Sequence, residues 1–220
     1  MNTYHYIERE KNNMKDLIYY IVIIGLFVVN VAALFVSRKK DNSAYRIVFL
    51  TRHIDWLLAF LLVIFVTTSF VLIEPFVPEF LKFSLFSLLG KDGGNANAEI
   101  VTESSKISPI ITIIVFIILM LFLPKAAYWE EQQFRHNSIT IQTSILTNIK
   151  FGLMHCLVGV PIWIGLLLCV VGFIYSLKYI FTFWKYVDDK IALESSTSLH
   201  GKYNIILITI LLTAVLITSK

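Results

Sequence analysis

Three clusters of polar residues interrupt the apolar second half of the chain, and their side chains include those that hydrolyse amide bonds. The first cluster runs from Glu130 to Arg135, the second ends at His155, and the third begins at His200 and includes Asn204. An ionisable side chain at the centre of a membrane helix costs about 3 kcal/mol on insertion scales, so such residues are expected to serve a function. A carboxylate, two histidines and an amide on different segments indicate a hydrolytic site.

The first cluster predicts an ion pair and a second, free carboxylate. On a helix Glu131 and Arg135 are four residues apart with the acid first, which is the favourable order for pairing. Adjacent residues point about 100° apart, so Glu130 faces elsewhere and is available to a cavity. The alternative is a charged helix end at the membrane interface, with both glutamates in water.

The second and third clusters each place two side chains one helical turn apart. Phe151 and His155 share a face, so the phenyl ring can fix the imidazole; the alternative is a buried histidine bonded to a nearby carbonyl. The serines before His200 are N-cap candidates, which predicts that His200 lies in the first turn of the last helix. Asn204 then follows one turn later, and two donors near a helix N-terminus suit a developing oxyanion. The alternative is helix capping plus one helix–helix hydrogen bond from Asn204.

The composition indicates that these clusters lie in a membrane protein. Of the 220 residues, 57% are apolar and 15% are charged, whereas soluble proteins are roughly half apolar and a quarter charged. This balance disfavours a soluble enzyme, a disordered chain and a nucleic-acid partner. The net charge of +4 is assigned to loops that face the cytoplasm or the lipid headgroups. Cys156 and Cys169 lack the spacing of a zinc site.

Apolar runs predict an all-α fold, namely a polytopic membrane helical bundle of about six transmembrane helices. About 20 apolar residues are needed to cross a hydrocarbon core of about 30 Å. Segment 139–160 is polar on one side and is counted as a span that faces protein or a cavity. Stretch 185–198 is polar and is predicted to be a loop. The other five spans are residues 17–36, 56–73, 107–129, 161–183 and 203–218.

The chain divides into two regions. Residues 1–106 hold two spans, a stretch at 76–89 predicted to lie in the membrane interface, and a polar loop. Residues 107–220 hold the three clusters and are the predicted catalytic core. We expect an integral, multi-pass protein of the plasma (inner) membrane that contacts the lipid bilayer and is able to join a membrane complex.

The three clusters, in this order, resemble the CPBP intramembrane protease family, which includes the CAAX prenyl endopeptidases. The resemblance covers residues 107–220, and the family's three patterns are EExxxR, FxxxH and HxxxN. The stretch Gly172-x-x-Tyr175 is also similar to the family. The three patterns correspond here to Glu130-Glu131-x-x-x-Arg135, Phe151-x-x-x-His155 and His200-x-x-x-Asn204.

The resemblance implies an intramembrane endopeptidase that cuts a membrane-anchored peptide or protein. Glu130 would activate a water as general base, with the help of His155. His200 and Asn204 would stabilise the oxyanion. The supporting residues would be Glu131, Arg135 and Phe151.

No cofactor is expected, because glutamate and histidine suffice to activate water. A divalent metal is the second-ranked alternative. Its ligands would be Glu130, Glu131, His155 and His200.

Two departures from the family pattern keep a second function class open. His136 follows the first motif where the family often has glycine, and Lys202 lies inside the third motif. If Lys202 paired with Glu130, the base would be held ionised and activity would fall. The alternative function is a non-catalytic membrane subunit, immunity protein or scaffold of the same fold.

Overall fold

The computed structural model describes residues 43–85, 109–157 and 159–218. Within these ranges the chain is helical and contains no strand, which agrees with the predicted all-α class. A short 3₁₀-helix, Glu74–Phe76, follows the second α-helix. The α-helices are α1 (Ser43–Leu50), α2 (Ile54–Ile73), α3 (Glu79–Lys82), α4 (Pro109–Phe134), α5 (Ile141–Cys156), α6 (Ile162–Tyr186) and α7 (Asp189–Thr218).

Local signals explain where several of these helices begin and end. The Thr140 side chain caps α5 by accepting a hydrogen bond from the backbone N–H of Thr143, 3.2 Å away. Helix α6 starts directly after Pro161 and ends at Val187, which has a left-handed backbone with φ of 52°. Asp188 accepts a hydrogen bond at 2.9 Å from the N–H of Ile191 and so caps α7.

Helix α7 is the centre of the fold. It packs against α1, α2, α4 and α6, while α5 packs mainly on α6. Small residues permit these close approaches: a Cβ on Gly201 would lie 2.5 Å from Cγ2 of Val48 in α1. The main apolar core lies between α2, α6 and α7. It consists of Ala59, Leu62, Val63, Val171, Tyr175, Leu199 and Tyr203.

Two described helical segments are long and apolar enough to cross a membrane, Ile54–Phe76 and Ile162–Tyr186. They match the predicted spans 56–73 and 161–183. The predicted spans 107–129, 139–160 and 203–218 overlap helices α4, α5 and α7, which are not among the described segments long and apolar enough to cross a membrane. Span 17–36 lies outside the described residues, so the count of six spans stays a prediction.

The prediction that 185–198 is a loop is wrong for most of its length. Helix α7 already begins at Asp189, and the four residues Ser195 to Ser198 are buried inside it. The three serines form hydrogen bonds inside the protein: Ser195 Oγ accepts from the Thr182 hydroxyl of α6 at 3.0 Å, Ser196 Oγ donates to the Leu193 carbonyl, and Ser198 Oγ accepts from Lys202. A run of serines therefore marks a close helix crossing here and not a helix start.

The location of stretch 76–89 in the membrane interface stays a prediction, and only a short described piece of it is α-helical. The described part of this stretch contains the single turn α3, Glu79–Lys82, and residues 86–89 lie outside the described residues. Lys82 forms ion pairs with Glu79 at 3.2 Å and with Glu74 at 3.6 Å.

The close contact between α5 and α6 requires a residue without a side chain at Gly152. A Cβ there would overlap the carbonyl oxygen of Gly165 and the sulfur of Cys169. We predict that Gly152→Ala lowers the free energy of unfolding by about 1–3 kcal/mol, although alanine is the better helix former by about 1 kcal/mol. Reversible unfolding in detergent measures the change. Leu153→Ala, at an exposed neighbour, is the control, and a Gly152→Ala protein as stable as the parent would contradict this packing.

Candidate functional site

Three helices bring their polar residues to one place beside the main core. We call this group the polar cluster; it consists of Glu130, Glu131, Arg135, Asn148 and His200. The two glutamates lie near the C-terminal end of α4, and Arg135 directly follows that helix. Helix α5 contributes the asparagine and α7 the histidine.

Glu131 is the centre of the polar cluster. Its side chain is fully buried, and Oε1 accepts a hydrogen bond from His200 Nδ1 at 2.8 Å. Arg135 Nη1 lies 3.5 Å from the same oxygen and is also fully buried. Burying a carboxylate and a guanidinium costs several kcal/mol each, so the pair needs good geometry and further hydrogen bonds. The predicted ion pair between these residues is confirmed.

The remaining hydrogen bonds of Arg135 come from α5 and α6. Nη2 donates to Asn148 Oδ1 at 3.0 Å and to the backbone oxygen of Gly172 at 3.2 Å. The Asn148 amide nitrogen in turn donates to the Ser144 carbonyl at 2.7 Å and to Ser176 Oγ at 2.8 Å. The polar face of α5 thus holds the guanidinium in place.

Gly172 is required by this arrangement because no side chain fits there. A Cβ would lie 2.7 Å from Asn148 Oδ1 and 2.8 Å from both Arg135 Nη2 and Phe151 Cδ1. The space that glycine leaves open is filled by the guanidinium.

Aromatic rings fix the orientation of His200. Tyr175 stacks on the imidazole, with centroids 4.7 Å apart and planes at 20°. Phe151 meets the imidazole edge-on at 5.7 Å, and the Arg135 guanidinium lies over the phenyl ring, 4.3 Å from its centroid. Stacking, edge contact and cation–π attraction therefore combine around one imidazole.

The second imidazole nitrogen of His200 faces the other glutamate. Nε2 lies 3.5 Å from Oε2 of Glu130, whose side chain is 24% exposed while that of Glu131 is fully buried. The Oε2 atom itself is buried and accepts no hydrogen bond from the described residues. Adjacent carboxylates therefore differ: one is locked by Arg135 and His200, and the other lies at the open edge of the polar cluster.

His155 joins this arrangement only through an aromatic contact. Its ring meets Phe151 at 4.7 Å, as the shared helix face predicts. Its Nδ1 lies 2.8 Å from the carbonyl oxygen of Phe151 on its own helix, which is the alternative of a histidine bonded to a nearby carbonyl. Phe151 is therefore the link between His155 and His200.

The predicted setting of His200 and Asn204 is wrong in one respect. His200 lies roughly three turns after the start of α7 at Asp189, so no helix N-terminus is near it. Asn204 follows one turn later and is half-buried. Within the described ranges, no hydrogen bond joins Asn204 to the polar cluster.

Lys202 does not pair with Glu130. Its side chain is buried, and Nζ donates to the Thr51 carbonyl at 2.6 Å, to the Arg52 carbonyl at 3.2 Å and to Ser198 Oγ at 2.7 Å. It therefore ties α7 to the turn between α1 and α2 and makes no ion pair with Glu130. His136, the other departure, lies 2.7 Å from Asp189 at the start of α7.

Sequence reasoning missed Asn148, which accepts a hydrogen bond from Arg135, and Ser176, which accepts one from Asn148. The spacing of residues in α5 could have identified Asn148, because it lies on the same helix face as Phe151 and His155. Residues 144, 148, 151 and 155 recur at intervals of four, three and four, which places them on one helix face. Tyr175 was singled out only through the family resemblance, and its stacking partner is fixed by the packing of α6 on α7.

No group of three His, Cys, Asp or Glu side chains among the described residues is arranged to hold a metal ion. Of the four ligands of the metal alternative, Glu130, Glu131 and His200 meet in the polar cluster, whereas His155 bonds to its own helix.

Comparisons of the chain with protein-family models, with curated proteins and with solved structures give no match.

The two glutamates provide a matched pair of variants for stability. We predict that Glu131→Gln lowers the free energy of unfolding by about 3–5 kcal/mol, because it leaves a buried guanidinium without its carboxylate. Glu130→Gln is expected to change it by less than about 1 kcal/mol. Unfolding of both variants in the same detergent measures the difference. Equal stabilities would show that Arg135 does not depend on Glu131.

Proposed function

We propose that the chain is a multi-pass membrane protein with a bundle of about six spans, and that it is a CPBP-type intramembrane endopeptidase. The observation that carries the proposal is the pair formed by a locked His200 and a free Glu130, with 3.5 Å between Nε2 and Oε2. A general base and a positioned proton donor side by side are what amide hydrolysis by water requires.

In the proposed reaction Glu130 takes a proton from a water molecule as that water attacks the scissile carbonyl carbon. The charge that develops on the carbonyl oxygen is stabilised by doubly protonated His200, which keeps its Nδ1–H on Glu131 and donates its Nε2–H, and by the amide of Asn204. Glu130 then returns the proton to the leaving nitrogen as the C–N bond breaks. His155, beside Phe151, assists in holding the water.

The supporting residues keep His200 in one orientation during this sequence. Glu131 accepts from Nδ1, so the other nitrogen points toward the substrate side. Arg135 pairs with that carboxylate, and Asn148 in turn accepts a hydrogen bond from Arg135. Pre-set dipoles of this kind stabilise a transition state without reorganisation at the moment of reaction.

A membrane-anchored peptide or protein is the proposed substrate class. The outer face of α2 carries exposed apolar side chains such as Leu57, Phe60 and Leu61, which suit a lipid environment. A substrate that shares this environment reaches the edge of the polar cluster by diffusion in the plane of the membrane.

A non-catalytic subunit, immunity protein or scaffold is the second candidate. Two observations favour it: the Nδ1 atom of His155 lies 2.8 Å from a carbonyl of its own helix, and Asn204 lies outside the hydrogen bonds of the polar cluster in the described part of the chain. Both residues would have to turn toward a bound substrate in an active enzyme.

Cleavage of an anchored reporter separates these functions. The full chain in lipid vesicles is mixed with a set of fluorogenic peptides that carry a farnesyl or palmitoyl anchor. We predict cleavage by the parent and a loss of at least about 10²-fold in Glu130→Gln, because a general base contributes this much or more. Glu79→Gln is the matched control, since its carboxylate is almost fully exposed.

Two outcomes would contradict the proposal. Equal cleavage by Glu130→Gln and the parent would remove the glutamate from the mechanism, and no cleavage of any anchored reporter would favour the scaffold. A chelator is expected to leave the rate unchanged. Loss of activity in chelator that is restored by zinc would instead favour the metal alternative, whose ligands would be Glu130, Glu131, His155 and His200.

A further inference from the structure

A cavity of about 450 Å³, separate from the polar cluster, lies between α2, α6 and α7. None of the residues of the polar cluster lines it. Three cationic side chains line it, namely Arg52, Lys178 and Lys185. Its apolar wall includes Leu58, Ile174 and Phe181. A cavity lined by both cationic and apolar side chains fits an amphiphile that carries negative charge.

The fold compensates only one of the three cations. Lys178 pairs with the buried carboxylate of Asp55. Arg52 and Lys185 form no ion pair with any described residue; Lys185 lies over the ring of Tyr186, 5.0 Å from its centroid. Among the described residues, Arg52 and Lys185 are therefore left without a compensating carboxylate.

The backbone that presents Arg52 is held in an uncommon conformation. Arg52 has a φ of 49°, in the left-handed region that non-glycine residues rarely occupy. Lys202 binds the carbonyl oxygens of Arg52 and Thr51 from inside the protein. Strain that the surroundings fix in this way is common where a side chain binds a ligand.

The position of the cavity points to lipid. Helix α2 begins just after Arg52 and α6 ends just after Lys185, so the cavity lies at a shared end of the two segments long enough to cross a membrane. Phe181, Trp184 and Tyr186 are exposed at this end of α6. Aromatic and basic side chains gather where membrane helices meet the headgroups.

We propose that this cavity binds one anionic phospholipid, with its phosphate between Arg52 and Lys185 and an acyl chain along Leu58 and Phe181. Basic pockets between membrane helices bind acidic headgroups in this way. A soluble acidic peptide fits less well, because the apolar wall opens toward the outer surface of α2 and α6. The proposal rests on placement in a membrane and not on the peptidase activity.

Native mass spectrometry of the full chain in detergent tests the proposal. Dioleoyl phosphatidylglycerol is titrated as the anionic lipid and dioleoyl phosphatidylcholine as the zwitterionic reference. We predict one tightly bound phosphatidylglycerol, with affinity about fivefold weaker in Arg52→Gln and again in Lys185→Gln. Lys150→Gln is the matched control, since this exposed lysine on α5 does not line the cavity.

Each competing result has a definite meaning. If glycerol phosphate or inorganic phosphate displaces the lipid at equal concentration, the site recognises phosphate alone and the lipid assignment is wrong. If an acidic peptide displaces it, the cavity belongs to a peptide. Unchanged affinity in Lys185→Gln would overturn the proposal even if Arg52→Gln failed to fold, because Lys185 lies at an exposed helix end.

Discussion

Arg135 is a fully buried cation, and the arrangement of four helices follows from the need to satisfy it. Its guanidinium meets the Glu131 carboxylate of α4, the Asn148 amide of α5 and the Gly172 carbonyl of α6. Each partner comes from a different helix, so the helices are fixed relative to one another at this point. A buried charge tolerates little displacement of its partners, because an unpaired charge in a low dielectric is costly.

This constraint separates two neighbouring carboxylates into different roles. The Glu131 carboxylate pairs with Arg135 and accepts a hydrogen bond from His200. The contact with His200 links the buried polar cluster to α7. Glu130 lies at the edge of the polar cluster, where its Oε2 faces Nε2 of the same histidine. The C-terminal end of α4 thus carries both Glu131, which fixes the imidazole of His200, and Glu130, which faces the other nitrogen of that ring. Lys202, also on α7, does not contact these carboxylates and instead binds the Thr51 carbonyl between α1 and α2.

Local patterns in the sequence predicted the parts of the site that depend on one helix. The ion pair of Glu131 with Arg135 and the contact of Phe151 with His155 follow from spacing alone. The start of α7 could not be read locally, because serines at a tight helix crossing have the composition of a loop. The carbonyl partners of Lys202 lie about 150 residues earlier in the chain, and only the packing of α7 brings them together.

The proton on His200 Nδ1 tests most directly whether the Glu131 carboxylate fixes the orientation of the imidazole. In the full chain labelled with ¹⁵N-histidine, the His200 signals are assigned by comparison with His200→Gln. We predict a proton on Nδ1 in a strong hydrogen bond, unchanged in Glu130→Gln and weakened in Glu131→Gln, because a neutral amide oxygen is a weaker acceptor than a carboxylate. An unprotonated Nδ1 in the parent chain, or a signal that does not respond to Glu131→Gln, would contradict the central role of the buried carboxylate.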